Sequence, residues 1–121
     1  MARFRIARRA QADISRILAT SGETWGSEAR RRYARLLTDA FRRVATEPEG
    51  GTTRQRSELA PGMRSFHVRQ VQQADPGTRV RRPVHVLYYR VTRPGLVEIV
   101  RVLHERMEPS RHFGMATEDK P

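Results

Sequence analysis

The spacing of apolar side chains changes period along this chain, and each change marks an element. Arg3-Phe4-Arg5-Ile6 alternates polar and apolar, which predicts a short strand with one buried face. Ala10, Ile14, Ile17, Leu18, Ser21 and Trp25 then recur at intervals of three and four, the stripe of an amphipathic helix. Gly22 weakens or ends that helix. Gly26-Ser27-Glu28 reads as a break and restart, with Ser27 as N-cap and Glu28 placed to suit the helix dipole. The second stripe is clearer: Ala29, Tyr33, Leu36, Leu37, Ala40, Phe41 and Val44 share a face, and the intervening arginines fall largely outside it. Pro48 stops this helix, and residues 49–53 form a loop. Each helix has one apolar face, so the two are expected as a helical hairpin laid on a sheet, with Trp25 pinning the hairpin.

After the turn signal Pro61-Gly62 the period drops to two. Residues 63–71 alternate, with Met63, Ser65, His67 and Arg69 on one side and Arg64, Phe66 and Val68 on the other. Residues 72–82 are polar, contain Pro76-Gly77 and read as an exposed hairpin loop. The next stretch, PVHVLYYRV over residues 83–91, is the strongest strand in the chain. The adjacent Tyr88 and Tyr89 must point to opposite faces, which predicts one in the core and one exposed. Pro94-Gly95 is a tight turn into the last strand, Leu96–His104. The order is strand, helix, helix, strand, strand, strand. It predicts a two-layer α+β fold, β-α-α-β-β-β, whose mainly antiparallel sheet packs on the hairpin. The first strand must return to the sheet across the hairpin, and the far face of the sheet must be polar or covered by a partner. Residues 1–113 form a single domain, and 114–121 are a polar tail expected to be disordered.

Composition narrows the class. The chain of 121 residues has no cysteine, which excludes disulfides and thiolate metal sites. The opening MARFRIARRA lacks the apolar core of a signal peptide, and no apolar run approaches the ~20 residues that span a bilayer. A cytoplasmic protein with no membrane association is expected. The formal charge is +11, from 24 basic and 13 acidic residues, and every basic residue but Lys120 is arginine. Such a surface attracts anions, either nucleic acid or an acidic protein, and arginine allows planar bidentate contact with phosphate or carboxylate.

Five segments together carry a family resemblance: FRIARRAQADISRI, the ETWG step before YARLLTDAFRRVATEP, ELAPGMRSFHV, HVLYYRV and EIVRVLHERMEPSRHF. In this order and spacing, across positions 3 to 113, the chain resembles the ParE branch of the RelE/ParE superfamily of type II toxin–antitoxin modules. The resemblance implies a small toxin that inhibits DNA gyrase, needs no cofactor, and forms a hetero-oligomer with an acidic or amphipathic cognate antitoxin. The RelE branch, made of ribosome-dependent mRNA endonucleases, is the alternative. A non-toxic basic module that acts with its antitoxin in autoregulation is a second.

The two branches differ in chemistry. Metal-free RNA cleavage needs a group to activate the 2′-hydroxyl, cations for the transition state and an acid for the leaving oxygen. RelE-like enzymes supply these with lysines, strand arginines and a C-terminal tyrosine. Here residues 47–71 contain no lysine. Val86 stands where a RelE-like arginine would be, VLHER replaces the GKRER motif, and no tyrosine follows His104. The inhibitor reading is therefore favoured, with no catalytic residue. Arg64, Tyr89, Arg90, Arg101, His104, Arg106 and Arg111 are the candidates for contact with target, antitoxin or nucleic acid. His104 is expected as a strand-end histidine hydrogen-bonded to backbone. His67 and His85 lie on neighbouring strands but lack carboxylates for a metal site, so none is expected.

Overall fold

The computed structural model describes residues 2–71 and 79–118, with side chains through Phe113. The elements in order are β1 (Arg3–Ile6), α1 (Arg8–Trp25), α2 (Ser27–Thr46), β2 (Arg54–Gln55), β3 (Arg64–His67), β4 (His85–Arg93), β5 (Leu96–His104) and α3 (Pro109–Glu118), with a single 3-10 turn at Val68–Gln70. One five-stranded sheet has the order β1-β5-β4-β3-β2. β1 is parallel to β5, because the α1–α2 hairpin carries the chain back across the sheet, and the other pairs are antiparallel. The α+β architecture expected from the pattern is present, with β2 and α3 as additions. The expected loop over residues 72–82 lies mostly outside the described residues, as do 119–121 of the tail.

The helical stripes do what their spacing predicts. Tyr33, Leu36, Leu37, Ala40, Phe41 and Val44 of α2 are buried, and Ile14, Ile17 and Leu18 of α1 pack beside them. They meet Phe66, Leu87, Tyr89, Val97, Ile99 and Val102 from the sheet, and Phe4 sits 5.4 Å from Phe41. This is the main core.

Several local expectations are corrected. α1 runs through Gly22 to Trp25, because packing against α2 offsets the roughly 1 kcal/mol that a mid-helix glycine costs. The break falls at Gly26, whose φ of 94° is open to glycine and strained for other residues. Gly26, not Ser27, takes the N-cap position of α2, and no side chain caps it. Trp25 does not pin the hairpin; it is 75 % exposed. Strand pairing in β3 ends at His67, and the chain turns into the 3-10 segment instead of alternating to residue 71.

The far face of the sheet is also corrected. The protein covers much of it with its own chain. Met63, Tyr88, Leu103 and Phe113 form a second buried cluster, flanked by Leu59, Ala60, Val86 and Val100. Phe113 comes from α3 and meets the Tyr88 ring edge-on at 5.4 Å. Tyr88 and Tyr89 do face opposite sides, but both sides are covered, so both rings are buried. Arg56 lies over the Tyr88 ring at 5.6 Å, a cation–π contact at the edge of this second cluster.

Candidate functional site

The end of β5 is where the candidate residues converge, and its geometry starts with a missing strand. β1 pairs with β5 only from Leu96 to Ile99, so the edge of β5 beyond Ile99 has no strand partner on that side. Asp13 of α1 takes its place. Its Oδ2 accepts the Val102 N–H at 3.0 Å, which satisfies a backbone donor at the open edge. The same carboxylate accepts two bonds from Arg101, from Nε at 2.8 Å and Nη2 at 2.9 Å, a bidentate fork. Arg16, one turn along α1, adds a third cationic bond at 3.1 Å. Asp13 is 2 % exposed and the Arg101 side chain 12 %. Burial of both charges is tolerated because each is paired and hydrogen-bonded.

The histidines are fixed by their δ nitrogens. The Val84 N–H donates to the Tyr33 hydroxyl at 3.2 Å, and that hydroxyl lies 2.6 Å from His85 Nδ1. With the Val84 N–H donating to it, the hydroxyl gives its own hydrogen to His85. On this pairing, which gives the hydroxyl hydrogen an acceptor, we assign the His85 proton to Nε2. Burial pushes the Tyr33 hydroxyl up to about 12. Burial, then the neighbouring His104 and His67, pulls His85 down to about 4, so its ring is neutral near pH 7. His104 Nδ1 accepts the Arg106 N–H at 3.1 Å, the strand-end arrangement expected from sequence, and its ring stands edge-on to His85 with centroids 5.6 Å apart. His67 Nδ1 accepts the Arg69 N–H, and its Nε2 lies 2.7 Å from Glu105. That bond from His67 holds the Glu105 carboxyl below its usual range. Among the described residues, no group of three or more histidine, aspartate or glutamate side chains could hold a metal ion.

The structure places the candidate residues in different settings. Arg101 and His104 stand at a cleft of about 60 Å³ between α1, the ends of β4 and β5 and the start of α3, which Asp13, Arg16, His85 and His112 also line. Arg106 and Arg111 are exposed on the segment after β5. Arg90 is separate: it pairs with Glu98 at 3.2 Å, and Arg5 shares that carboxylate at 3.5 Å. Arg64 is turned toward the loop after α2, where its Nη2 donates to Thr53 Oγ1 at 2.7 Å and its buried Nε has no partner. Tyr89 is a correction. It is fully buried and its hydroxyl donates to the Pro48 carbonyl at 2.5 Å, so it holds the α2–β2 loop to the sheet and is not a contact surface. Burial pushes that hydroxyl upward from its ordinary pKa. Asp13, Arg16 and Tyr33 are not among the candidates drawn from sequence. Asp13 carried a usable signal: it falls on the stripe of Ala10, Ile14 and Ile17, and a carboxylate on a buried face requires a partner.

Known proteins match this chain across nearly all of its length. The family model described as the ParE toxin of the type II toxin–antitoxin system parDE matches residues 4–109. The toxin ParE1 of Mycobacterium tuberculosis is 32 % identical over 111 residues, covering 92 % of this chain and 97 % of the relative. The toxin ParE1 of Caulobacter vibrioides is 34 % identical over 112 residues, with 92 % and 97 % covered. A chain from the chromosomal ParDE toxin–antitoxin system of P. aeruginosa superposes with a TM-score of 0.61 at 17 % identity, over 86 % of this chain and 96 % of that one, a likeness of fold. The chain therefore belongs to the ParE toxin family of type II toxin–antitoxin systems.

Proposed function

We propose that this toxin acts in the cytoplasm by inhibiting DNA gyrase, and that a cognate antitoxin polypeptide holds it inactive in a hetero-oligomer. Family membership supports the toxin, and Arg101 carries the choice of inhibitor over ribonuclease. A ribonuclease of the RelE kind needs a cation free to meet a developing phosphorane. Arg101 instead gives two bonds to Asp13 in a nearly buried pair. The neighbouring histidines have structural duties as well, with their δ nitrogens committed to Tyr33 and to the Arg106 N–H. Among the described residues no helix is long and apolar enough to cross a membrane. The charge of +11 supports an acidic partner. Arg90, Arg106 and Arg111, exposed on β4 and after β5, are our proposed contacts for antitoxin, gyrase or DNA.

The test is inducible expression in a bacterial host, with DNA, RNA and protein synthesis followed separately. The expected outcome is filamentation and DNA-damage signalling before translation slows, with purified protein blocking gyrase-driven supercoiling. Co-expression of a cognate antitoxin, sought first as a short acidic reading frame beside this one, restores growth. Immediate translation arrest with cleaved mRNA, lost in Arg101→Ala, would replace this reading with the nuclease. Undisturbed growth at high expression would replace it with a non-toxic module.

A further inference from the structure

In the cleft at the end of β5, His85, His104 and Asp13 have their acceptor atoms already engaged, which leaves donors to face a ligand. His85 and His104 each commit Nδ1 to an internal donor, Tyr33 and the Arg106 N–H respectively. With Nδ1 accepting, each ring carries its hydrogen on Nε2. Both rings line the cleft, and so do Arg101 and Arg16, which offer only donors. Asp13 is the acidic side chain in the lining, and its two oxygens accept the bonds from Val102, Arg101 and Arg16 described above. One carboxylate against two guanidinium groups leaves an excess of one fixed positive charge among the carboxylate and guanidinium groups of the lining, and His85 adds none because burial keeps it neutral near pH 7. The site thus has the signature of a receptor for one monoanion.

Size selects the ligand. A volume of about 60 Å³ holds a few water-sized groups. A carboxylate at the tip of a side chain can enter such a recess head-first. An internucleotide phosphate is flanked on both sides by nucleosides and needs an open groove instead. We propose that this cleft is an acceptor subsite for the carboxylate of an aspartate or glutamate from a polypeptide partner, clasped by the Nε2–H groups of His85 and His104 beside Arg16. The identification of that polypeptide as the antitoxin rests on the function proposed above.

The probes are hexaglutamate and hexathymidylate at matched ionic strength, added to the purified full chain with its histidine rings labelled for NMR. Hexaglutamate is expected to move the His85 and His104 ring signals. His104→Leu should weaken its binding by about tenfold, the share of one hydrogen bond to a charged group. His104→Gln, which retains an N–H donor and an acceptor for Arg106, should restore most of that loss. Arg93→Gln, an exposed arginine at the opposite end of β4, should have only the small effect of one distant charge. The proposal is overturned if the ring signals ignore hexaglutamate, or if they answer to hexathymidylate alone, which would assign the cleft to nucleic acid. It is also overturned if Arg93→Gln weakens hexaglutamate as much as His104→Leu does. The wild-type ring signals keep the test valid should His104→Leu fold poorly. An antitoxin that neutralises wild type and His104→Gln but escapes loss on His104→Leu removes this subsite and leaves the toxin reading standing. Ring signals that respond to hexaglutamate but not to an antitoxin that neutralises the toxin uphold the carboxylate subsite and remove the antitoxin as its occupant.

Discussion

Replacing Asp13 with alanine should be the most damaging single polar substitution in this protein. The change strips Arg101 of both its carboxylate bonds while its side chain stays only 12 % exposed. It also strands the Val102 N–H, the edge donor that β1 is too short to pair. Breaking a buried pair from one side costs about 3–5 kcal/mol, because the surviving charge is left without compensation. An orphaned buried N–H costs about 1–3 kcal/mol on its own. The two losses share one carboxylate and do not simply add, so the expected total is about 4 kcal/mol. Arg16 contributes little to this, since it is 70 % exposed and solvent screens its bond. Domains of this size have about 5–15 kcal/mol in all, so Asp13→Ala should bring the chain close to unfolding at 37 °C. Urea denaturation followed by circular dichroism measures the loss. Two companions test the cause. Asp13→Asn keeps an acceptor for Val102 and should lose less than alanine does. Arg101→Met removes the buried cation, so adding it to Asp13→Ala should recover part of the loss. A loss below about 1 kcal/mol for Asp13→Ala, with an unchanged dependence on urea, would refute the idea that this carboxylate closes the edge of β5.

Three further outcomes follow from the same structure. Trp25→Ala should change stability by less than about 0.5 kcal/mol in thermal melts, because its ring is 75 % exposed and supports no core. Phe113→Ala should cost about 3 kcal/mol, at the low end for a buried aromatic, and should speed hydrogen exchange in α3 before the rest of the chain. Stability should fall with acid between pH about 6.5 and about 4, because the folded His85 titrates near 4 and the unfolded one near 6.5. In that window the unfolded chain binds the extra proton, so the contribution is whole above 6.5 and lost as pH falls. His85→Phe should flatten this part of the pH–stability curve; an unchanged slope would mean that other groups set it.

Much of the fold was legible because most of the chain obeys one period at a time. The α2 stripe reads directly as its buried face, and the Pro94-Gly95 turn reads as the β4–β5 connection, where Gly95 takes a φ of 78°. Misreadings arose where tertiary contact decided the outcome. Gly22 weakens a helix in isolation, yet α2 lies against it and α1 continues. The exposure of Trp25 had no sequence signal, since an aromatic on an apolar stripe normally marks the core. Alternation told correctly that Tyr88 and Tyr89 oppose each other. It could not tell that Phe113, many residues later, would return to cover the second face. For the site, His104 and Arg101 were visible as a cluster at a strand end. The orientation of Arg101 depends on Asp13, and that of the neighbouring His85 on Tyr33, in each case a residue far away in sequence and close in space.

The excess of arginine has a structural pattern that bears on what the surface can receive. Acidic residues are too few for one-to-one pairing, and among the described residues the two most enclosed carboxylates in ion pairs each serve two arginines. Asp13 holds Arg101 and Arg16, and Glu98, whose side chain is 15 % exposed, holds Arg90 and Arg5 across three adjacent strands. In each group the carboxylate is the enclosed member and at least one arginine faces solvent: Arg16 at 70 %, Arg5 at 58 % and Arg90 at 47 %. The inner carboxylate fixes where an outer guanidinium stands, so the surface offers positioned cations and not a diffuse cloud of charge. A partner's carboxylate arriving at either group completes a two-to-two arrangement without new burial of an unpaired ion. Positioned guanidinium groups favour an ordered polypeptide with acidic residues at matching intervals, and such binding should lose only part of its strength in high salt. Purely diffuse attraction would be screened almost completely once the Debye length shrinks to about 3 Å near 1 M salt. Measuring antitoxin affinity from 0.1 to 1 M salt, for wild type and for Glu98→Gln, separates the two cases: fixed sites predict that removing this internal acid weakens binding even though it raises the net positive charge, whereas a diffuse field predicts that it strengthens it.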